Sequence, residues 1–196
     1  MSTLQELATI ARSCTRCSLA AGRTKVVFGE GSEVAKLMVV GEGPGRDEDL
    51  QGRPFVGRSG ELLDRLLAEE AGMAREDVYI ANVVKCRPPG NRDPLPHEVA
   101  ACRPYLDDQV SLIGPRVLLT LGNFATRTLL GTTAGIGSLR GRCYPFGDTG
   151  AVVVPTFHPA FALRNRNETL PQMRADFVRA KKALTEPPAD KTGIHD

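Results

Sequence analysis

The chain of 196 residues contains no tryptophan, only 5% aromatic residues and only three histidines. It also lacks any apolar run as long as a membrane-spanning helix requires, so we expect no contact with a membrane. The net charge of +2 is too small to identify a polyanionic partner by itself. Because aromatic side chains are scarce, each one outside an apolar run is a candidate for a functional role.

The N-terminal sequence MSTLQELATIARSC lacks the basic start and apolar block of a signal peptide. We therefore expect a cytoplasmic protein, whose cysteines stay free of disulfides in a reducing compartment. The length and the absence of internal repeats predict one domain, over residues 1–185. The composition of EPPADKTGIHD predicts a disordered tail over residues 186–196.

Four short runs rich in β-branched residues predict strands: KLMVVG (36–41), VYIANVVK (78–85), RVLLTLG (116–122) and AVVVPT (151–156). The strongest are almost continuously apolar, which indicates strands that are buried on both faces of a parallel sheet. Helical patterns lie between them. The sequence therefore predicts an α/β fold, a three-layer α/β/α sandwich around a four-stranded parallel sheet.

Capping residues predict where helices begin, at Ser59, Asn123 and Thr169. Glycines predict where helices end, at Gly72, Gly114 and Gly131. Pro104 predicts a kink or a break in the helix that ends at Gly114.

Four of the five cysteines suggest one metal site. Cys14 and Cys17 form a CxxC pair, Cys86 follows the second predicted strand, and Cys102 lies on a predicted helix. A chance CxxC among free thiols and a redox pair are the alternatives, but a redox CxxC is expected beside a βαβ unit. The spacing is compatible with zinc and with an iron–sulfur cluster. Cys143 has no partner nearby and is interpreted as a structural thiol.

Functional sites in parallel sheets lie at the carboxyl ends of the strands. Here those ends carry GEGPG, NVVKC, LGN and TFHP. A glycine-rich turn after a buried strand usually suggests phosphate binding, but GEGPGRDED contains four acidic residues that would repel a phosphate. A nucleotide- or flavin-binding α/β protein is therefore disfavoured, and it would leave the four cysteines unexplained.

Six motifs together resemble the family 4 uracil-DNA glycosylases, bacterial and archaeal enzymes that carry a [4Fe-4S] cluster. They are GEGPG with its downstream acids, GRPFVGRSGELLD, NVVKCRPPGNR, ACRPYL, LTLGNFA and FHPAFALRN, in the family's order over nearly the whole chain. The resemblance implies the same α/β/α fold and a structural [4Fe-4S] cluster held by Cys14, Cys17, Cys86 and Cys102. It implies a hydrolase of base excision repair, which releases uracil from single- or double-stranded DNA, and we expect a monomer.

The resemblance also implies roles in a pocket that receives a base flipped out of the duplex. Phe55 stacks on uracil, and the amide of Asn82 pairs with its O4 and N3–H. His158 donates a hydrogen bond to O2, which strengthens as the leaving base gains negative charge.

The GEGPGRDED loop forms a wall of this pocket, with Gly41 and Gly43 beside the base. Glu42 is expected to orient water or to stabilise the cationic sugar. Gly43 stands where family 1 enzymes have a water-positioning Asp, so that Asp is absent here. Glu48 resembles the residue that crowds uracil C5 and excludes the methyl group of thymine.

DNA contacts are expected on two segments. Gly57, Ser59 and Gly60 begin a helix, whose backbone amides can bind a phosphate. After His158, Phe161 or Leu163 is the wedge that fills the gap left by the flipped base, and Arg164 and Arg166 contact phosphates. This places the basic region 140–182 beside the lesion.

Two alternatives remain. A covalent uracil-trapping relative carries a KRRIH loop, but the corresponding PPGNRDPLPH lacks that motif and His97 falls several residues too late. A non-catalytic cluster protein that binds damaged DNA is compatible with Gly43, but not readily with Glu42, Asn82 and His158 in one pocket.

Overall fold

The four apolar runs form the parallel centre of one sheet in the computed structural model, which describes residues 3–186. The strands are β1 Glu30–Gly31, β2 Leu37–Gly41, β3 Tyr79–Asn82, β4 Val117–Leu121, β5 Tyr144–Pro145 and β6 Val152–Thr156. Their order is β1-β3-β2-β4-β6-β5, in which β3, β2, β4 and β6 are parallel. The short edge strands β1 and β5 pair antiparallel.

The predicted fold class is therefore confirmed, but the number of strands is wrong, because the sheet has six strands and is mixed. Each missed strand has only two residues, and each includes a glycine or a proline. Such segments carry no recognisable apolar run. Except for Glu186, the predicted tail lies outside the described residues.

The α-helices are α1 Leu4–Arg12, α2 Leu19–Gly22, α3 Arg46–Gln51, α4 Gly57–Leu66, α5 Pro96–Ile113, α6 Gly122–Leu130, α7 Ile136–Leu139, α8 Pro159–Arg164 and α9 Arg166–Thr185. Helix α4 continues as a π-helical turn, Leu67–Ala71. Within residues 3–186, none of these helices has the length and apolar content needed to span a membrane.

Two apolar layers cover the sheet. Alternate strand residues such as Met38 and Val40 pack with α1, α5 and α6 on one face. Their neighbours Leu37 and Val39 pack with α4, α8 and α9 on the other. Because both faces are covered, the central strands are fully buried, and the three-layer arrangement is confirmed.

The predicted helix ends at Gly72, Gly114 and Gly131 are confirmed, since all three glycines have a left-handed backbone. The predicted starts at Ser59, Asn123 and Thr169 are wrong, because each residue lies inside its helix. The side chain of Asn123 instead accepts a hydrogen bond from the backbone of Ile136. The hydroxyl of Thr169 donates to the carbonyl of Asn165, as expected within a helix.

Pro104 does not break α5, which runs continuously through it for 18 residues. Pro104 is exposed. The carbonyl that loses its helical partner at this position can therefore be solvated, and the predicted break does not occur.

Candidate active site and cysteine cavity

A cavity of about 550 Å3 opens at the carboxyl edge of the parallel strands. Nine of the predicted site residues line it: Glu42, Gly43, Glu48, Phe55, Ser59, Asn82, His158, Phe161 and Arg164. They come from segments that follow β2, β3 and β6 and from the loop before α4. The topology therefore brings residues that are up to 122 positions apart in the chain (42 to 164) to one pocket.

Phe55 and His158 form one side of this pocket. Their ring centroids are 5.7 Å apart, with an angle of 33° between the planes. Phe55 has a left-handed backbone, with φ of 49°. Its ring is 7% exposed and also belongs to the apolar core. Phe55 therefore packs in the apolar core and also borders the pocket.

Gly41 allows the side chains of Asn82 and Phe55 to approach each other closely beside the pocket. A Cβ at this position would collide with Oδ1 of Asn82 and would lie 2.6 Å from Cζ of Phe55. Gly41 lies behind these side chains and does not itself line the cavity. Only a glycine leaves room here for an amide and an aromatic ring side by side.

Asn82 is 2% exposed and ends β3. Within the part of the chain that the structure describes, its Oδ1 has no hydrogen-bond partner. A buried acceptor without a partner costs free energy, of the order of 1–3 kcal/mol. This atom can therefore accept a hydrogen bond from a donor that enters the pocket.

His158 precedes α8, and its Nδ1 accepts a hydrogen bond of 3.1 Å from the backbone N–H of Ala160. In a neutral imidazole, this leaves the proton on Nε2. Burial and the nearby positive charge of Arg164 lower the pKa of His158 to about 4. At neutral pH the ring is therefore an uncharged donor through Nε2.

Two acidic residues of the GEGPGRDED loop have different surroundings. Burial, with a further contribution from the negative charge of Asp93, raises the pKa of Glu42 to about 7. Glu48 lies on α3, and its Oε1 accepts a hydrogen bond of 3.0 Å from the backbone N–H of Val56. This bond ties α3 to the segment that carries Phe55.

The loop after Cys86 contributes pocket residues that the sequence analysis did not select: Pro88, Asn91, Arg92 and Asp93. Arg92 donates two hydrogen bonds to the fully buried carboxylate of Glu98, which also accepts from the hydroxyl of Ser18. The signal available in the sequence was a group of polar residues between prolines, shortly after the second predicted strand. His97, in contrast, is exposed on α5 and does not line the pocket.

The predicted DNA-binding residues divide into two groups. Phe161 and Arg164 are exposed at the pocket rim, with Phe161 40% exposed. Leu163 instead packs against the core, which makes Phe161 the better wedge candidate. Gly57 and Gly60 begin α4, and Arg166 is exposed at the start of α9, but none of these three lines the cavity.

Gly60 also has a packing role, because a Cβ there would collide with the backbone carbonyl of Phe55.

Part of the basic region 140–182 is used within the protein. Arg140 pairs with the buried Asp176 through two hydrogen bonds of 3.0 Å. Arg174 pairs with Glu69 and Glu70 of the turn after α4. These two arginines are structural, so the exposed Arg164 and Arg166 are the better candidates for phosphate contact.

Cys14, Cys17, Cys86 and Cys102 all line a second, small cavity. Lys85 N–H donates to Sγ of Cys102 at 3.3 Å, and Arg23 donates to Sγ of Cys86 at 3.5 Å. Among residues 3–186, no three His, Cys, Asp or Glu side chains are grouped closely enough to hold a single metal ion. The four cysteines are nevertheless brought together from three separate segments of the chain around this cavity. Cys143 lies elsewhere and packs against the second core.

An aromatic ring, an unpaired buried amide and a neutral imidazole at the carboxyl edge of the parallel strands form a pocket that suits a planar ring with hydrogen-bonding groups. The profile of the uracil DNA glycosylase superfamily matches residues 28–182. The chain belongs to this superfamily, and the expected family resemblance is confirmed.

Three relatives are similar over most of the chain. The Type-4 uracil-DNA glycosylase of Thermotoga maritima is 46% identical, over 88% of this chain and 90% of its own length. That of Saccharolobus solfataricus is 43% identical, over 96% and 89%. That of Archaeoglobus fulgidus is 41% identical, over 95% and 94%.

Proposed function

We propose that this chain is a uracil-DNA glycosylase, which hydrolyses the N-glycosidic bond of deoxyuridine in DNA and leaves an abasic site. The observation that carries the proposal is the buried Oδ1 of Asn82, which has no partner within residues 3–186 and lies in a pocket with Phe55 and His158. Uracil carries the matching donor, N3–H. The similarity to Type-4 enzymes supports the same substrate.

Recognition of the base uses Asn82 and Phe55. Oδ1 of Asn82 accepts from uracil N3–H, while its amide nitrogen donates to O4. Cytosine has an acceptor at N3 and a donor at N4, the reverse of uracil, so an amide held in this orientation mispairs with both groups, which disfavours its binding. Phe55 stacks on the ring face, and Glu48, held by Val56, stands near C5 and excludes the methyl group of thymine.

His158 stabilises the leaving group. As the bond between C1′ and N1 breaks, uracil gains negative charge, and Nε2–H of His158 donates to its O2. The donor is already oriented, because Nδ1 is held by the backbone of Ala160. This bond is stronger in the transition state than in the bound substrate, so it accelerates the reaction.

Glu42 acts on the sugar and on the attacking water, whereas His158 acts on the leaving uracil. In its ionised form it accepts a proton from the water that bonds to C1′, and its charge stabilises the cationic sugar. With glycine at position 43, Glu42 is the carboxylate nearest in sequence to the position of the missing Asp. Asn82, His158 and Glu42 are thus the proposed catalytic residues.

The DNA strand lies across the rim of the pocket. Backbone amides at the start of α4, together with the hydroxyl of Ser59, bind a phosphate. Phe161 enters the space that the flipped nucleotide leaves, and Arg164 and Arg166 bind flanking phosphates.

The four cysteines fit a [4Fe-4S] cluster. The donor set is four thiols around one cavity, and backbone and guanidinium N–H groups donate to two of the sulfurs, as is common around iron–sulfur ligands. Burial raises the pKa of the Cys86 thiol to about 11, so binding of the cluster must displace its proton. Cys14, Cys17, Cys86 and Cys102 would hold the cluster, which would tie the segment after α1 to the loop after β3 and to α5, with a structural function and not a part in bond cleavage.

The test is incubation of the purified protein with single- and double-stranded oligonucleotides that contain one deoxyuridine, with thymidine at that position as the matched control. We expect the deoxyuridine oligonucleotides to yield free uracil in molar excess over protein, and the thymidine control to yield no free base. A stable protein–DNA adduct would show the covalent trapping relative instead. Binding without release would show a non-catalytic damage-binding protein. If the protein neither binds the DNA nor releases uracil, the hydrolase, the trapping relative and the damage-binding protein are all refuted.

A separate measurement tests the cofactor. The protein as purified should be brown and contain iron and sulfide. A colourless protein with stoichiometric zinc would contradict the proposed cluster.

A further inference from the structure

A lysine lies buried between the cysteine cavity and the pocket. Lys85 is 2% exposed, and its side chain is among the largest fully buried ones in the described part of the chain. It stands between two residues already discussed, three positions after Asn82 and directly before Cys86. Neither the proposed recognition of uracil nor the proposed binding of the cluster has used it so far.

All contacts of the Lys85 ammonium are with neutral groups. Nζ donates to the backbone carbonyl of Asn82 at 2.7 Å and to Oε1 of Gln109 at 2.6 Å, and it lies 6.0 Å from the ring centroid of Phe28. None of the ion pairs formed within residues 3–186 includes it. A buried cation is destabilising unless an opposite charge compensates it.

The cysteine cavity offers that opposite charge. Lys85 lines the same cavity as the four cysteines, and its own backbone N–H donates to Sγ of Cys102. Once ionised, four thiolates outweigh the positive charge of an iron–sulfur core, so the loaded site is anionic. The cation would then be compensated by the metal group.

Lys85 is also connected to the pocket, through its hydrogen bond to Asn82. The carbonyl that Nζ holds belongs to Asn82, whose side chain is the proposed reader of uracil. Gln109 fixes the ammonium from α5, the helix that also carries Cys102, and its Nε2 donates to the carbonyl of Phe28 and the hydroxyl of Tyr79. The ammonium makes two hydrogen bonds and the Gln109 amide makes three, which restricts the movement of Lys85 relative to Asn82.

We propose that Lys85 is a positioning residue, whose ammonium offsets the charge of the cysteine-bound cluster and at the same time holds the Asn82 carbonyl, so that cluster binding and uracil recognition are coupled. This inference rests on the proposed cluster and on the proposed role of Asn82. It predicts that one substitution changes both a property of the cluster and the affinity for the base.

The test compares Lys85→Met, which removes the charge and the donor but keeps a similar chain length, with Lys36→Met at an exposed lysine. The reduction potential of the cluster should fall in Lys85→Met, because loss of a nearby cation disfavours the reduced form. The affinity for free uracil should fall by roughly tenfold, as for loss of one charge-assisted contact. Lys36→Met should change neither.

A double-mutant cycle shows whether Lys85 acts through Asn82. The loss of uracil affinity in Asn82→Ala should hardly increase when Lys85→Met is added, because the side chain that the backbone contact positions is already absent. Additive losses, or an unchanged cluster potential, would overturn the inference.

Gln109→Glu separates the two functions of the ammonium and serves if Lys85→Met does not fold. It keeps an acceptor for Nζ and places a compensating carboxylate beside it, but it removes the two bonds that Nε2 donates to Phe28 and Tyr79, neither of which involves Asn82. The cluster potential should fall while uracil affinity stays within about twofold; an unchanged potential would refute the charge role. A wild-type protein without cluster or uracil release would instead contradict the proposed function itself.

Discussion

The imidazole of His158 packs against the phenyl ring of Phe55, with 5.7 Å between the ring centroids. The contact places the proposed leaving-group donor beside the proposed stacking surface. It also buries an imidazole whose Nδ1 is already occupied by the backbone of Ala160. A single proton, on Nε2, is therefore presented to the pocket.

Removal of this imidazole should affect the chemical step more than binding. We expect His158→Ala to lower kcat by roughly 10²–10³-fold, the range for loss of one preorganised donor. Affinity for uracil-containing DNA, measured under conditions without turnover, should change only a few-fold. His97→Ala, at an exposed histidine outside the pocket, is the control and should be unaffected. Equal losses in kcat and affinity would contradict the assigned role.

The acid limb of the pH–rate profile should report Glu42. Its pKa is raised to about 7 by burial and by the charge of Asp93, and the ionised form is the active one. Therefore kcat/KM should rise as the pH increases through about 7. Asp93→Asn should move this limb to lower pH, because a negative neighbour is removed. A profile that does not move would exclude Asp93 as an influence on Glu42.

His158 should also make stability depend on pH. Its pKa is lowered from 6.5 to about 4 in the folded protein, so between these values the unfolded chain binds a proton that the folded chain does not. The free energy of unfolding should therefore decrease as the pH falls from 6.5 towards 4. Relative to His158→Gln, the extra slope should approach about 1.4 kcal/mol per pH unit. Denaturant titrations of both proteins at several pH values measure it; parallel curves would contradict the buried neutral imidazole.

Gly41 should not tolerate a methyl group. In Gly41→Ala the added Cβ would collide with the Asn82 amide and the Phe55 ring, which displaces the two base-recognition groups. We expect uracil affinity to fall by at least roughly tenfold in a protein that still folds. Gly137→Ala is the matched control, because a Cβ there meets nothing within 4 Å. Unchanged affinity in Gly41→Ala would show that the pocket relaxes around the methyl.

Phe161 should matter mainly for duplex substrates. As the exposed wedge it compensates for a base removed from the stack, and a single strand has little such stacking to restore. Phe161→Ala should lower kcat/KM on double-stranded DNA by roughly tenfold, in line with unstacking costs of a few kcal/mol. The effect on single-stranded DNA should be small, and Leu112→Ala, at another exposed apolar residue, should change neither. Equal effects on both substrates would argue against a wedge.

The strands and the helix ends followed from local sequence. A strand buried on both faces must be apolar throughout, and a left-handed helix end favours glycine, so both leave a short-range pattern. The helix starts did not follow, because α4, α6 and α9 begin without a side-chain cap, so the capping residues Ser59, Asn123 and Thr169 did not mark their starts.

The site was predicted in part, because some of its residues also lie in recognisable local patterns. Asn82, His158 and Phe55 stand at strand ends or in a distinctive loop, and the resemblance gave them roles. Asp93 and Arg92 were missed, because the loop after Cys86 becomes part of the pocket only when β3 and β2 are neighbours. The connection from Lys85 to Gln109 joins residues 24 positions apart and has no sequence signature.

The sequence by itself determined an α/β sandwich with four parallel central strands, a set of four cysteines and the membership of a glycosylase family, since these depend on periodicity and on motifs that are local in the chain. Tertiary structure alone decided the electrostatic state of the site. The pKa of His158 near 4 and that of Glu42 near 7 arise from burial and from charges brought close by folding. Such effects depend on distance in space, which the order of residues along the chain does not specify.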